Sequence, residues 1–220
     1  PSAGLEITRY MHTTPLNHRS VTQTGNWKNA VAAYLACTEF VDHCVGVMLK
    51  SLDESAHANN TIIVLWSDHG WHLGEKQHWA KRSLWEESTR VPLILAGPGI
   101  VRGTSPRAVG LIDLYPTLSE LCGLPKPPQK LEGRSLLPLL KKPKAIWPHA
   151  ALTTFHRNDH TLRTERWRYI RYANGDEELY DHTKDSHEWN NLAKDKKFAA
   201  VLKRFRGQLP EVNALDSPTR

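Results

Sequence analysis

At 220 residues, 40% of them hydrophobic and 24% charged, the chain has the composition of an ordinary globular protein and the length of one sizeable domain, or of a larger domain lacking a piece. A formal net charge of +6 favours anionic partners, but the basic residues are scattered, and no helix-turn-helix or aromatic-basic RNA motif speaks for nucleic acid. No apolar run approaches a membrane span and no signal peptide opens the chain; three cysteines, Cys37, Cys44 and Cys122, lack zinc spacing and are expected to be free and mostly buried.

Residues 1–23 hold Pro15, His12, His18 and Arg19, and read as an irregular loop with both histidines at the surface. Residues 26–52 predict an amphipathic helix, with Val31, Tyr34, Leu35, Val41, Val45, Met48, Leu49 and Leu52 on one face and Asp42 and His43 at its edge. It leads past the sequon Asn59-Asn60-Thr61 into a β-branched apolar run, residues 61–66. That run predicts a strand buried on both faces of a parallel sheet, as in a doubly wound α/β unit.

Ligand groups gather beyond the carboxyl ends of such strands. Here Asp68, His69, Gly70, His72, Glu75, His78 and Lys81 crowd a single loop. Asp68 is a hard oxygen donor suited to Ca²⁺ or Mg²⁺, whereas the softer imidazole of His69 keeps Zn²⁺ or Mn²⁺ open. Gly70 permits a sharp turn, and Lys81 offers a compact positive charge for an anionic oxygen.

Residues 91–96 predict a second buried strand, closed by Gly97-Pro98-Gly99. Asp113 is placed to cap a helix through Leu121, with Gly123 as its stop. Rising Gly and Pro frequency sets a boundary near 140–148, dividing an α/β part, 1–145, from a small α+β subdomain, 146–220. In the latter, residues 151–155, 167–172 and 178–180 predict strands, with Asn174-Gly175 as a hairpin turn. The run holding Arg168 and Arg171 reads as a half-buried antiparallel face. His156, Asp159, His160 and Arg163 follow the first of these strands, and residues 194–208 form a closing amphipathic helix.

The order S-D-H-G-W-x-L-G-E, W-x-K, V-P-L is carried by Asp68, His69, Gly70, Trp71, Leu73, Gly74, Glu75, Trp79, Lys81, Val91, Pro92 and Leu93. It resembles the C-terminal metal-site motif of type I sulfatases in the alkaline-phosphatase superfamily, and within them the iduronate-2-sulfatase-like group. The runs R-T-E-R-W-R-Y-I-R-Y, E-L-Y-D and E-W-x-N-L resemble the small C-terminal sheet of the same enzymes. The resemblance implies a partial alkaline-phosphatase-like sandwich and a sulfuric ester hydrolase acting on a sulfated small molecule or glycan. It assigns Asp68 and His69 to a divalent cation, Ca²⁺ in the family, and gives Asp68 the further task of positioning the nucleophile. Lys81 would contact the sulfate, with Trp71 and His160 at the substrate.

The family's formylglycine arises from a C/S-x-P-x-R motif, which no cysteine or serine here satisfies. Its paired N-terminal aspartates and Lys-x-x-His segment are absent as well. The resemblance therefore implies the C-terminal half of an enzyme whose N-terminal half is its partner, inactive alone, and of periplasmic, extracellular or secretory location. The alternatives are a metal-dependent phosphatase or phosphodiesterase of the superfamily and a non-catalytic binding fragment.

Overall fold

The computed structural model describes residues 18–215, so the reading of His12 lies outside it. Two compact units emerge: the described residues up to Arg82 with Arg90–Ile100, and Ser83–Thr89 with the chain from Val101 onward.

The first unit holds α1 (His18–Gln23), α2 (Trp27–Asp53), β1 (Ile63–Trp66), β2 (His72–Leu73), β3 (Trp79–Ala80) and, after the excursion to the second unit, β4 (Leu93–Ala96). Helix α2 matches the predicted span almost residue for residue, because its apolar positions recur at helical spacing. Its burial does not match: none of its residues is buried, and Leu35, Val41 and Met48 stand 59%, 57% and 71% exposed. Cys37 and Cys44 ride on it, so they are exposed rather than buried, and so is Cys122. By length and composition α2 is also apolar enough to cross a membrane, contrary to the sequence expectation. Glu39 and Asp42 near its middle, costly in a bilayer, favour a protein-covered helix.

The two expected strands exist, but they pair with each other and run antiparallel, Ile63 opposite Ala96 and Trp66 opposite Leu93. They form a two-stranded sheet of their own. Apolar runs report burial and not direction, and here even burial is incomplete, with Trp66 48% and Ile94 54% exposed.

The second unit contains α3 (Glu86–Thr89), α4 (Leu114–Leu121), α5 (Leu137–Lys141), strands β5 (Ala151–Thr154), β6 (His160–Arg163), β7 (Trp167–Arg171) and β8 (Glu177–Asp181), and α6 (Ala199–Arg206). The four strands form an antiparallel meander in sequence order. Leu162, Trp167, Tyr169 and Leu179 face Leu202 and Phe205 of α6, and Tyr169 stacks on Phe205 with ring centroids 5.6 Å apart. Asn174-Gly175 makes the expected turn, with Gly175 at φ 95°. Strand β6 is the strand of this sheet that the sequence pattern does not predict, and the short helices α3 and α5 are likewise unpredicted.

At α4, Gly123 ends the helix in a left-handed conformation at φ 63°. Its N–H donates to Glu120 and that of Leu124 to Ser119, satisfying carbonyls the helix leaves open. Asp113 does not cap this helix with its side chain. Its carboxylate accepts instead from the N–H of Gly110 (2.9 Å) and of Arg134 (2.7 Å), tying two loops together.

The segment 83–89 is docked by side chains. The Trp85 indole donates to Glu178 at 2.7 Å, Arg168 donates to the Leu84 carbonyl at 3.1 Å, and the Glu86 N–H donates to Glu188 at 3.0 Å.

Candidate functional site

The loop between β1 and the second unit is held from below by aromatic packing. Strands β2 and β3 pair His72 with Ala80 and Leu73 with Trp79 around a short 3-10 turn, Glu75–Gln77. Glu75 is consumed locally, its carboxylate accepting from the Leu73 N–H at 2.6 Å. Gly74 sits at φ 113°, and a Cβ there would lie 2.3 Å from Trp27 Cζ2. Trp27 meets Trp79 edge-on at 5.6 Å and His18 at 5.0 Å, and the Trp79 indole leans toward His18 Nδ1 at 3.4 Å. His18 is thus part of the loop's support and not an idle surface residue. Gly74→Ala combines a forbidden φ with that overlap, so it is expected to cost about 1–3 kcal/mol, read as a lowered thermal midpoint. An unchanged midpoint would mean Trp27 does not seat the loop.

Above this base the structure brings His69 and Lys81 together, Nε2 to Nζ at 2.7 Å. His69 Nδ1 lies 2.8 Å from the Gly70 carbonyl, which can only accept, so Nδ1 carries the ring proton. Nε2 then keeps its lone pair, and the Lys81 ammonium donates to it. Asp68 Oδ1 is 3.7 Å from the same nitrogen, with its side chain 74% exposed. A carboxylate oxygen and an imidazole lone pair at that separation fit two ligands of one divalent cation, and the Nδ1–Gly70 bond fixes the tautomer a metal needs. Trp71 is 37% exposed. It lies 6.2 Å from the His69 ring and stacks on Tyr34 of α2 at 6.5 Å.

His72 and His78 do not join this group. They are 0% and 1% exposed, with rings packed edge-on at 4.7 Å. Burial first, and then the neighbouring His78, hold the His72 pKa down to about 3, so its ring is neutral at any ordinary pH.

His160, expected at the substrate, lies in β6 and is 4% exposed, its Nδ1 2.9 Å from the Thr154 hydroxyl. The strand turns that side chain into the protein, and Asp159 beside it is fully buried. In this chain the His160 side chain is therefore enclosed and lies apart from the group at Asp68, in the second unit.

Glu86, His182 and Glu188 form a second cluster of ligand-type atoms, all within 4.8 Å of one another. Its chemistry does not suit a metal, because guanidinium groups already fill it. Arg168 donates through Nε to Glu188 and through Nη2 to Glu86, and Arg163 donates to Glu86 at 3.1 Å and to His182 Nδ1 at 2.9 Å. His182 Nε2 donates in turn to Glu188 at 2.8 Å. Two carboxylates and two guanidinium groups cancel, and a dication would face both arginines. Burial, the largest influence on Glu86, pushes its pKa up, but Arg168 and Arg163 outweigh it and hold it at about 2. The partners lie far apart in sequence, and spacing gave no signal of the cluster.

Residues 7–124 match the sulfatase family, and residues 74–214 match the family described as N-sulphoglucosamine sulphohydrolase, C-terminal. The chain is 43% identical over 192 residues to a sulfatase of Formosa agariphila, covering 87% of this chain and 38% of that protein. It is 33% identical over 214 residues to the Delta 4,5-hexuronate-2-O-sulfatase of Bacteroides thetaiotaomicron, covering 89% of this chain and 44% of that protein. A solved 2-O glycosaminoglycan sulfatase superposes with a TM-score of 0.73 at 33% identity, over 87% of this chain and 45% of that one. The chain thus spans less than half the length of these relatives. Each match takes in the loop bearing Asp68, His69 and Lys81 or the sheet that follows it, and together they place this chain in the sulfatase family of the alkaline-phosphatase superfamily.

Proposed function

We infer that the chain is the C-terminal portion of a 2-O-sulfatase of the iduronate-2-sulfatase-like kind, acting on sulfated uronic acids in glycans in the periplasm or outside the cell. One observation carries the reading: Asp68, His69 and Lys81 meet at one loop, with an exposed tryptophan beside them. In this reading residues 1–145 complete the α/β catalytic domain and 146–220 form its small subdomain. Sulfatases typically use a divalent metal, and Asp68 and His69 are the residues here suited to hold it, with Ca²⁺ the first choice. When bound, the ion supplies Lewis-acid stabilisation of charge on a sulfate oxygen. Lys81 donates to a second sulfate oxygen, neutralising charge as it builds, and Trp71 offers a flat apolar face to a sugar ring. Asp68 also orients the nucleophile, which the remaining length of the enzyme provides.

The chain alone is expected to release no sulfate from an aryl sulfate or a 2-O-sulfated uronate above buffer background. A chimera drawing its remaining length from the Bacteroides hexuronate relative is expected to release sulfate. Asp68→Ala or Lys81→Ala should each lower that rate by about 10²-fold or more. Hydrolysis of a phosphate diester in preference to sulfate would instead favour the phosphodiesterase alternative.

A further inference from the structure

The lone pair on His69 Nε2 already has a donor. Lys81 Nζ donates to it at 2.7 Å, and Asp68 Oδ1, the other acceptor suited to a cation, is 3.7 Å away. The ring cannot turn its other nitrogen to the task, because Nδ1 carries the proton given to the Gly70 carbonyl at 2.8 Å. Backbone and packing limit escape as well: the Ser67 hydroxyl donates to the His69 carbonyl at 2.8 Å, and Trp71 neighbours both the His69 and the Tyr34 rings. One lone pair serves one partner.

We propose that Lys81 is a built-in competitor for the cation site, so that cation entry at Asp68 and His69 drives Lys81 off the imidazole and readies its ammonium for an anion. The inference rests on the cation-site reading above and deepens it. A displaced ammonium beside a dication is repelled by it at short range. An anion contacting both relieves that repulsion, so cation and sulfate bind with positive coupling, and by linkage each raises the other's affinity. Lys81 thereby belongs to His69 in the absence of the cation, and to the sulfate once cation and anion are both bound.

The test uses Mn²⁺, which accepts both oxygen and imidazole ligands. Its free concentration is read by electron paramagnetic resonance, in the 220-residue chain fused to a solubilising carrier. Asp68→Ala defines binding at this site. Lys81→Met is expected to tighten Mn²⁺ by about tenfold, the weight of a charge-assisted hydrogen bond. In a His69→Ala background the same change should tighten Mn²⁺ much less, since only the relief of charge repulsion is left once the contested lone pair is gone. Inorganic sulfate should tighten Mn²⁺ in the unaltered chain and lose most of that effect in Lys81→Met. Equal tightening by Lys81→Met with and without His69 would reduce Lys81 to a distant repelling charge and overturn the proposal. No tightening at all would overturn it while leaving an Asp68-dependent site standing. Absence of any Asp68-dependent binding would remove both the proposal and the cation site beneath it.

Discussion

Arg168→Met is expected to destabilise the second unit by about 3–5 kcal/mol, because it leaves buried carboxylates without their counter-charge. The Arg168 side chain is 1% exposed, that of Glu188 0% and that of Glu86 11%, so water cannot take over the role. The loss also frees the Leu84 carbonyl and the Thr161 hydroxyl, both hydrogen-bonded to Nη1. Urea denaturation followed by the fluorescence of the buried Trp85 and Trp167 would measure it. A cost below about 1 kcal/mol, the scale of an exposed pair, would show that the cluster is hydrated and unimportant. The pH dependence carries a definite sign. Glu86 is held at about 2 against an ordinary 4.5. Its contribution is therefore complete above pH 4.5 and fades as pH falls toward about 2. Glu188 is lowered too: burial works against ionisation, but the Arg168 charge overcomes it, so its contribution has the same sign. Unaltered protein should lose stability on acidification through that window, and Arg168→Met should flatten the loss.

The 220-residue chain alone is expected to bind a hydrophobic dye strongly and to self-associate. Helix α2 leaves Leu35, Phe40, Val41, Val47 and Met48 more than half exposed, and β1 and β4 each pair along one edge only among the described residues. Exposed apolar side chains and open strand edges of this kind mark places suited to being covered. The relatives supply a candidate cover, since this chain matches only 38–44% of their length. Dye fluorescence and sedimentation at several concentrations would check the expectation. A monomer that unfolds cooperatively without dye binding would refute the view that these faces pack against a further part of the enzyme.

What could be read from sequence was what is local. The stretch from Asp68 to Lys81 names its own chemistry because ligand and charge lie within one loop, and α2 announces itself by period. Strand direction could not be read, since residues 61–66 and 91–96 look alike whether parallel or antiparallel. Strand β6 is not legible because His160-Thr161-Leu162-Arg163 offers a single apolar residue, although three of its four side chains are buried. Arg168 lies with Arg171 in a run that mixes charged and large apolar residues, and only partners 82 and 20 residues away decide that the first is interior. Long-range satisfaction of a polar group leaves no mark in its neighbours.

The excursion at 83–89 has a bearing on heredity and on engineering. The chain crosses from one unit to the other after Arg82, returns at Arg90 and crosses again after Ile100. Residues 101–220 thus cannot travel as a portable module: a gene cut between the units would strand Arg168 and Glu178 without Glu86 and Trp85. Insertions or protease nicks near 82 or 90 should be felt in the distant sheet, and recombination among sulfatases should be tolerated only where this seven-residue strap and its receiving residues are inherited together.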